Sequence, residues 1–371
     1  MHTETAIPQA TDRSGPTPVP WIETLEPAVH GAVDPTNASR DGLAPDCIID
    51  FSANGNVVGP SPRVAEAIAR VDVSRYPDRD ATALREAIAQ RLSVDPTAIV
   101  AGNGSTEVIW AVARAYLKPG DVALVLGPTY GEYAVGSAAC GAQVEMHAAA
   151  PPGETIEGDT IVDLVRQKRP RILWLCHPNN PTGAPFPMDI VARLVKASSE
   201  TLIVVDEAYL TLCDGVPSAL ALRLPSIVVL RSLTKDAGLA GLRVGYAVAA
   251  SDAAAAIRRV IPPWSVNSLA QAAALAALSD EEHQAESRRA VAAARQHLVR
   301  GLDDLGLDSY PSVANFVLLP IPDARRVTRE LLSRGLAVRD CESFGLTDCI
   351  RIGVRPIPDQ QALLDAMRQV L

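Results

Sequence analysis

Val229-Leu230-Arg231-Ser232-Leu233-Thr234-Lys235-Asp236-Ala237-Gly238-Leu239-Ala240-Gly241-Leu242-Arg243-Val244-Gly245-Tyr246 is the stretch from which the fold of this 371-residue chain is read. The apolar run 227–230 stops at a cluster of hydroxyls and one lysine, and a second apolar segment resumes after Arg243. That order spells strand, loop, strand. Most lysines are solvated surface groups, so an isolated one here would carry no message. This one has Ser232 and Thr234 as hydroxyl donors on either side, and Arg243 beyond it offers a planar fork that suits a phosphate dianion. Gly238 and Gly241 let the backbone approach closely.

Outward from this stretch, short apolar runs alternate with helical patterns. The run 99–101 leads to Gly102-Asn103-Gly104-Ser105-Thr106-Glu107 and an apolar helix, and 122–126 leads to Gly127-Pro128-Thr129-Tyr130-Gly131-Glu132-Tyr133. The run 172–175 leads to His177-Pro178-Asn179-Asn180-Pro181-Thr182-Gly183, and 202–205 to Asp206-Glu207-Ala208-Tyr209. Strands alternating with helices predict a largely parallel sheet covered on both faces. In such sheets ligands sit at the carboxyl ends of the strands, where all these polar segments fall. Residues 61–70 and 81–92 read as amphipathic helices. Between them Arg75-Tyr76-Pro77-Asp78 suits a turn that presents Tyr76 at an edge. A charged helical pattern from about 278 to 305 connects to a second lobe, where runs 315–319, 324–333, 336–339, 350–354 and 359–370 give a strand and helix series. We therefore expect an N-terminal arm at 1–28, a segment at 29–65 that joins the smaller α+β domain, a large α/β domain at 66–278 and the small domain at 279–371.

Composition narrows the function. With 48% hydrophobic and 21% charged residues the chain has an ordinary globular balance, and its formal net charge of -9 argues against a nucleic-acid surface. The six cysteines show no CxxC spacing, so we expect reduced thiols in a cytoplasmic protein. The first residues lack a basic start and a compact apolar run. The uncharged stretch 261–279 is long enough to span a bilayer, but it contains Pro262, Pro263, Ser265, Asn267, Ser268 and Gln271 and reads as a loop entering a buried Ala-rich helix. Residues up to about Glu26 are rich in Pro and Thr and read as a flexible arm, with Trp21 as an anchor on a partner subunit or an incidental contact.

Each polar segment alone is an ordinary turn. Together, Gly-Ser-Thr-Glu at 104–107, Thr-Tyr-Gly at 129–131, Asn-Asn-Pro-Thr-Gly at 179–183, Asp-Glu-Ala-Tyr at 206–209 and Ser-Leu-Thr-Lys at 232–235 resemble the fold-type I pattern of pyridoxal-phosphate aminotransferases of class I and II. The resemblance runs from about Asn54 to the C-terminus and is nearest to the histidinol-phosphate aminotransferases and threonine-phosphate decarboxylases. It implies an aspartate aminotransferase-like α/β fold, a large mainly parallel-sheet cofactor domain with a smaller α+β domain, and pyridoxal 5'-phosphate as cofactor. Lys235 would carry the cofactor aldehyde as a Schiff base, since a lysine amine becomes a useful nucleophile when burial or nearby cations lower its pKa. Gly104, Ser105 and Thr106 at a helix N-terminus, with Ser232, Thr234 and Arg243, would hold its phosphate. Tyr130 would lie against the ring, Asp206 would supply the counter-charge to the pyridine nitrogen, and Asn180 and Tyr209 would bond its phenolic oxygen.

For the substrate, the resemblance implies Arg351 as the fork for its carboxylate or phosphate, Arg339 as a second arginine for a phosphorylated compound, and Asn54 and His30 beside them. Tyr76 matches a residue that crosses a dimer interface to the cofactor phosphate, so a homodimer with shared active sites is expected. Aminotransfer to a keto-acid acceptor is the expected reaction, with Lys235 as general acid and base. Decarboxylation of an amino acid phosphate is the alternative, favoured by Asp50-Phe51-Ser52-Ala53-Asn54, Pro263-Trp264-Ser265-Val266-Asn267, His30-Gly31 and Arg339-Asp340-Cys341. Gly55 and the Val57-Val58 pair depart from the usual continuation of both branches. A regulator with an aminotransferase-like sensor domain would need an attached DNA-binding domain, and the arm is short and not basic.

Overall fold

The computed structural model describes residues 16–34, 36 and 44–371; the first fifteen residues of the expected arm lie outside them. In chain order the strands are β1 Ile49–Asp50, β2 Ile99–Gly102, β3 Val122–Gly127, β4 Gln143–Ala148, β5 Ile172–Cys176, β6 Leu202–Asp206, β7 Ile227–Ser232, β8 Gly245–Val248, β9 Phe316–Pro320, β10 Leu336–Ala337, β11 Arg339–Asp340 and β12 Cys349–Gly353. Seven of them form one sheet in the order β2-β8-β7-β6-β5-β3-β4. The central strands β5, β6 and β7 are buried along their whole length, which is why they read as unbroken apolar runs rather than alternating ones. Trp174 and Val204 point into the core on one face, Leu175 and Val205 into the core on the other.

β8 departs from the parallel pattern. It runs antiparallel to both β7 and β2. The connection from β7 to β8, which carries Lys235, holds only short helical turns, so the chain reverses beside β7 instead of crossing over the sheet. β4 was not anticipated, because Gln143, Glu145 and His147 break up its apolar residues on an edge strand that is only partly buried. The run 336–339 is not one strand. Leu336–Ala337 pairs in parallel with β1, whereas Arg339–Asp340 pairs antiparallel with β12, so the chain changes partner at Val338.

Around the three-stranded sheet β11-β12-β9 a second core gathers Val317, Ile352, Leu363 and Met367 with Phe51 from the early segment. The helix Glu281–Asp303 leads from the large sheet to this core, to which its Leu298 and Leu302 belong. Trp21 packs on its own chain: its indole donates to Ala139 O at 3.2 Å, over Gly141. Among the described residues no helix is long and apolar enough to cross a membrane.

Candidate active site

A cavity of about 190 Å³ opens at the carboxyl ends of β5, β6 and β7, between the large sheet and the smaller core. Lys235 enters it from Leu233–Asp236, a single helical turn directly after β7. The other three lysines of the chain, Lys118, Lys168 and Lys196, are exposed on helices or loops elsewhere. Burial, helped by the guanidinium groups of Arg351 and Arg243, lowers the Lys235 pKa to about 8. About a tenth of this amine is therefore neutral, hence nucleophilic, at pH 7, far more than for an unperturbed lysine.

Beside it Ser232 and Thr234 join their hydroxyls at 2.5 Å. Helix α1, Gly104–Tyr116, points its N-terminus at the same place. Its first-turn amides have no intrahelical acceptor, and the Asn103 N–H just before them is taken up by Glu107 Oε2 at 2.7 Å. Arg243 crosses over Gly104 so closely that a Cβ on that glycine would sit 2.7 Å from Arg243 Nη2, and Gly104 also has a φ of +79°. Free amides, the hydroxyls of Ser105, Thr106, Ser232 and Thr234, and one guanidinium converge here, which is a donor set for a dianion.

At the far side of the cavity Asp206 ends β6, 3% exposed. Its Oδ1 accepts the Ala208 N–H at 2.9 Å and its Oδ2 accepts the Tyr133 hydroxyl at 2.7 Å. Burial pushes its pKa up to about 6, against the pull of those two donors. Among the described residues no cation forms an ion pair with it, so a protonated ring nitrogen would supply the missing partner. Tyr130 lies over the Tyr133 edge, with ring centroids 5.6 Å apart, and its hydroxyl is 3.2 Å from Thr106 Oγ1.

Asn180 accepts from Arg351 Nη1 at 2.5 Å, and Arg351 Nη2 donates to Ser52 O at 2.6 Å. Tyr209, whose pKa burial raises to about 12, accepts from Asn54 Nδ2 at 3.3 Å. Asn54 Oδ1 and Arg351 Nε are buried without a partner among the described residues. Gly31 fits against this arginine because a Cβ there would lie 2.5 Å from Ser52 O and 3.1 Å from Arg351 Nη2. His30 also lines the cavity, its Nε2 2.8 Å from Glu132 Oε1 and its ring 5.5 Å from Tyr130.

Two of the expected residues stand apart. Arg339 is directly opposite Arg351 on the β11–β12 ladder, outside the cavity wall, with its Nη2 on Val29 O at 2.9 Å and Ser343 Oγ at 2.7 Å. Tyr76 is 82% exposed and packs on Trp264 at 4.9 Å between centroids; within one chain it does not reach the cavity. Sequence reading overlooked Tyr133 and Cys176, which both line the cavity wall. Tyr133 was legible as part of the Tyr130–Tyr133 segment, but nothing in the sequence says which of two tyrosines turns inward toward Asp206.

The site as a whole fits pyridoxal phosphate: a dianion cradle, an amine of lowered pKa, a buried carboxylate without a cation, and unpartnered Asn54 and Arg351 atoms. Residues 46–370 match the family model described as aminotransferase class I and II. The chain is 37% identical over 361 residues to histidinol-phosphate aminotransferase 1 of Thiobacillus denitrificans, covering 95% of this chain and 93% of the relative. It is 39% identical over 321 residues to the histidinol-phosphate aminotransferase of Halorubrum lacusprofundi, covering 85% and 86%. Among solved structures it is similar to the histidinol-phosphate aminotransferase of Sinorhizobium meliloti in complex with pyridoxal-5'-phosphate (TM-score 0.86, 27% identity, 95% and 96% of the two chains). L-threonine-O-3-phosphate decarboxylase from Porphyromonas gingivalis is similar at a TM-score of 0.75 and 25% identity, over 86% and 98%.

Proposed function

Since this chain belongs to the class I and II aminotransferases and is a pyridoxal-phosphate enzyme, we propose that it moves an amino group between a phosphorylated amine of the histidinol-phosphate kind and a keto acid. When bound, the cofactor supplies an electron sink for the substrate α-carbon. The chain's own residues do the rest. Lys235, with its pKa near 8, holds the cofactor and then takes and returns the α-proton at its Nζ. Asp206 keeps a negative charge opposite the ring nitrogen, while Asn180 and Tyr209 orient the phenolic oxygen. Gly104, Ser105, Thr106, Ser232, Thr234 and Arg243 bind the phosphate, and Tyr130 covers one face of the ring.

The observation that carries the substrate class is the pairing of Arg339 with Arg351. Like charges directly opposite on neighbouring strands repel. Both guanidinium groups also have a buried Nε without a partner among the described residues, and burial lowers both pKa values. A phosphate between them would relieve the repulsion and satisfy the donors. Asn54 and His30 would line the same end. Of the relatives named above, both sequence relatives are aminotransferases, which supports aminotransfer over decarboxylation.

We read the division at 1–28, 29–65, 66–278 and 279–371 as the working one, with the smaller domain carrying Arg339 and Arg351 to the cofactor domain. The exposed Tyr76 would serve the site of a second copy, making a cytoplasmic homodimer with a biosynthetic role. The test is incubation of the purified enzyme with histidinol phosphate and 2-oxoglutarate, and separately with threonine phosphate. Glutamate formed from the first supports the reading, whereas carbon dioxide released from the second without any amino transfer overturns it.

A further inference from the structure

We propose that Tyr133 is a positioning residue for the cofactor ring: its hydroxyl, bonded to Asp206 Oδ2, aims that carboxylate and keeps it ionised opposite the ring nitrogen. The inference rests on Asp206 being the counter-charge to that nitrogen and concerns a residue outside the family motifs.

Tyr133 is wholly buried, and a hydroxyl taken out of water must find a partner or cost stability. It finds the carboxylate at the end of β6, 2.7 Å away, and the Cys176 thiol on β5 also lies against the hydroxyl. Its ring is locked from two sides. It stacks on Trp174 of β5 with centroids 5.4 Å apart and planes 5° from parallel, and it meets the edge of Tyr130 at 79°. Trp174 is itself tied down by its indole bond to Ser137 Oγ at 3.1 Å, on the helix Glu132–Ala138 that also carries Tyr133. β5 and β6 are neighbours with Cys176 opposite Asp206, so the tyrosine, the tryptophan and the carboxylate belong to one rigid block. Asp206 is thus held by one donor on each oxygen, the Ala208 amide and the Tyr133 phenol, which fixes the carboxylate plane while leaving lone pairs free toward the cavity.

The direction of the proton is settled by the surroundings. Burial and the neighbouring carboxylate raise the Tyr133 phenol well above its usual pKa, so it keeps its proton and donates it to the carboxylate. Its donation lowers the Asp206 pKa, which burial otherwise raises. Without the phenol Asp206 would carry a proton at higher pH and present less charge to the ring nitrogen. The other titratable groups facing Asp206 are Glu207, which raises its pKa, Lys235, which lowers it, and the Cys176 thiol and the Tyr130 and Tyr209 phenols, whose own pKa values burial raises so that they stay neutral.

The experiment uses Tyr133→Phe and two probes, pyridoxal phosphate and its 1-deaza analogue, in which C–H replaces the ring nitrogen. Apoenzyme is titrated with each across pH 5 to 8 and affinity is read from protein fluorescence. Wild type should prefer the natural cofactor, and the variant should lose on the order of ten- to a hundredfold of that preference at neutral pH, the loss of one hydrogen bond to a charged group. The pH below which the natural cofactor releases should also rise. Taking the ratio of the two affinities cancels any general loosening of the fold, and Tyr133→Phe placed in an Asp206→Asn background should have no effect on the ratio. An unchanged ratio and pH profile in the variant, with wild type still discriminating, overturns the role of Tyr133. Equal binding of both probes by wild type would instead overturn the reading of Asp206 itself.

Discussion

Gly104→Ala tests the phosphate cradle by adding one methyl group. The new Cβ would lie 2.7 Å from Arg243 Nη2 and 3.4 Å from its Cζ, so the guanidinium must swing away. The side chain is flexible and can do so, but in moving it leaves the helix N-terminus it covers. Two costs follow. Holding an alanine at a φ of +79° costs about 1–2 kcal/mol of folding stability. Losing a charge-assisted bond to a phosphate costs about 1.5–3 kcal/mol of cofactor affinity, or roughly ten- to a hundredfold. Thermal melting of the apoenzyme reads the first term, and titration of the apoenzyme with pyridoxal phosphate reads the second. Gly241→Ala is the control, because a Cβ at that glycine would meet no atom within 4 Å and its φ is not in the left-handed region. If Gly104→Ala melts and binds cofactor as wild type does, Arg243 does not hold the phosphate over that glycine.

Other outcomes follow from the same geometry. Because the Lys235 pKa is depressed to about 8 while the unfolded value stays near 10.5, the unfolded chain binds the extra proton between those values, so apoenzyme stability should gain as pH rises from 8 toward 10.5. Denaturant melts of Lys235→Met should lack that gain, and an identical pH dependence would refute the burial of a neutral amine. Arg339→Ala should raise KM for the phosphorylated amine on the order of tenfold with little change in kcat, whereas Arg351→Ala, which also frees Asn180 and Ser52 O, should lower both kcat and kcat/KM; steady-state kinetics with the two variants separates them, and equal effects would contradict the split. If Tyr76 serves a second copy, mixing inactive Tyr76→Ala and Lys235→Ala chains should recover about a quarter of wild-type activity, as expected for randomly reassorted twofold dimers. No recovery after reassortment would refute shared sites.

Much of this was legible in the sequence because the residues proposed to bind the cofactor sit where buried apolar strands stop. A polar residue at the end of a fully buried run, such as Asp206 or Ser232, announces itself by contrast with what precedes it. The substrate side was less legible. Arg339 and Arg351 become a pair only through the register of β11 and β12, a long-range fact no local pattern contains. Edge strand β4 hid because its polar residues interrupt its apolar ones, and the antiparallel β8 was recognisable as a strand without revealing its direction. Trp21 could be read as an anchor, yet only tertiary packing decides that Ala139 of the same chain accepts its indole proton. Tyr133 went unread because Tyr130, three residues before it, carries the motif.

Every step of the proposed mechanism passes through Lys235, the residue assigned to hold the cofactor. Reducing the holoenzyme with borohydride and mapping the modified peptide by mass spectrometry tests this most directly, and with only four lysines in the chain the answer is unambiguous. The phosphopyridoxyl group should be found on Lys235 alone; its attachment to Lys118, Lys168 or Lys196, or to none of the four, would contradict the assignment.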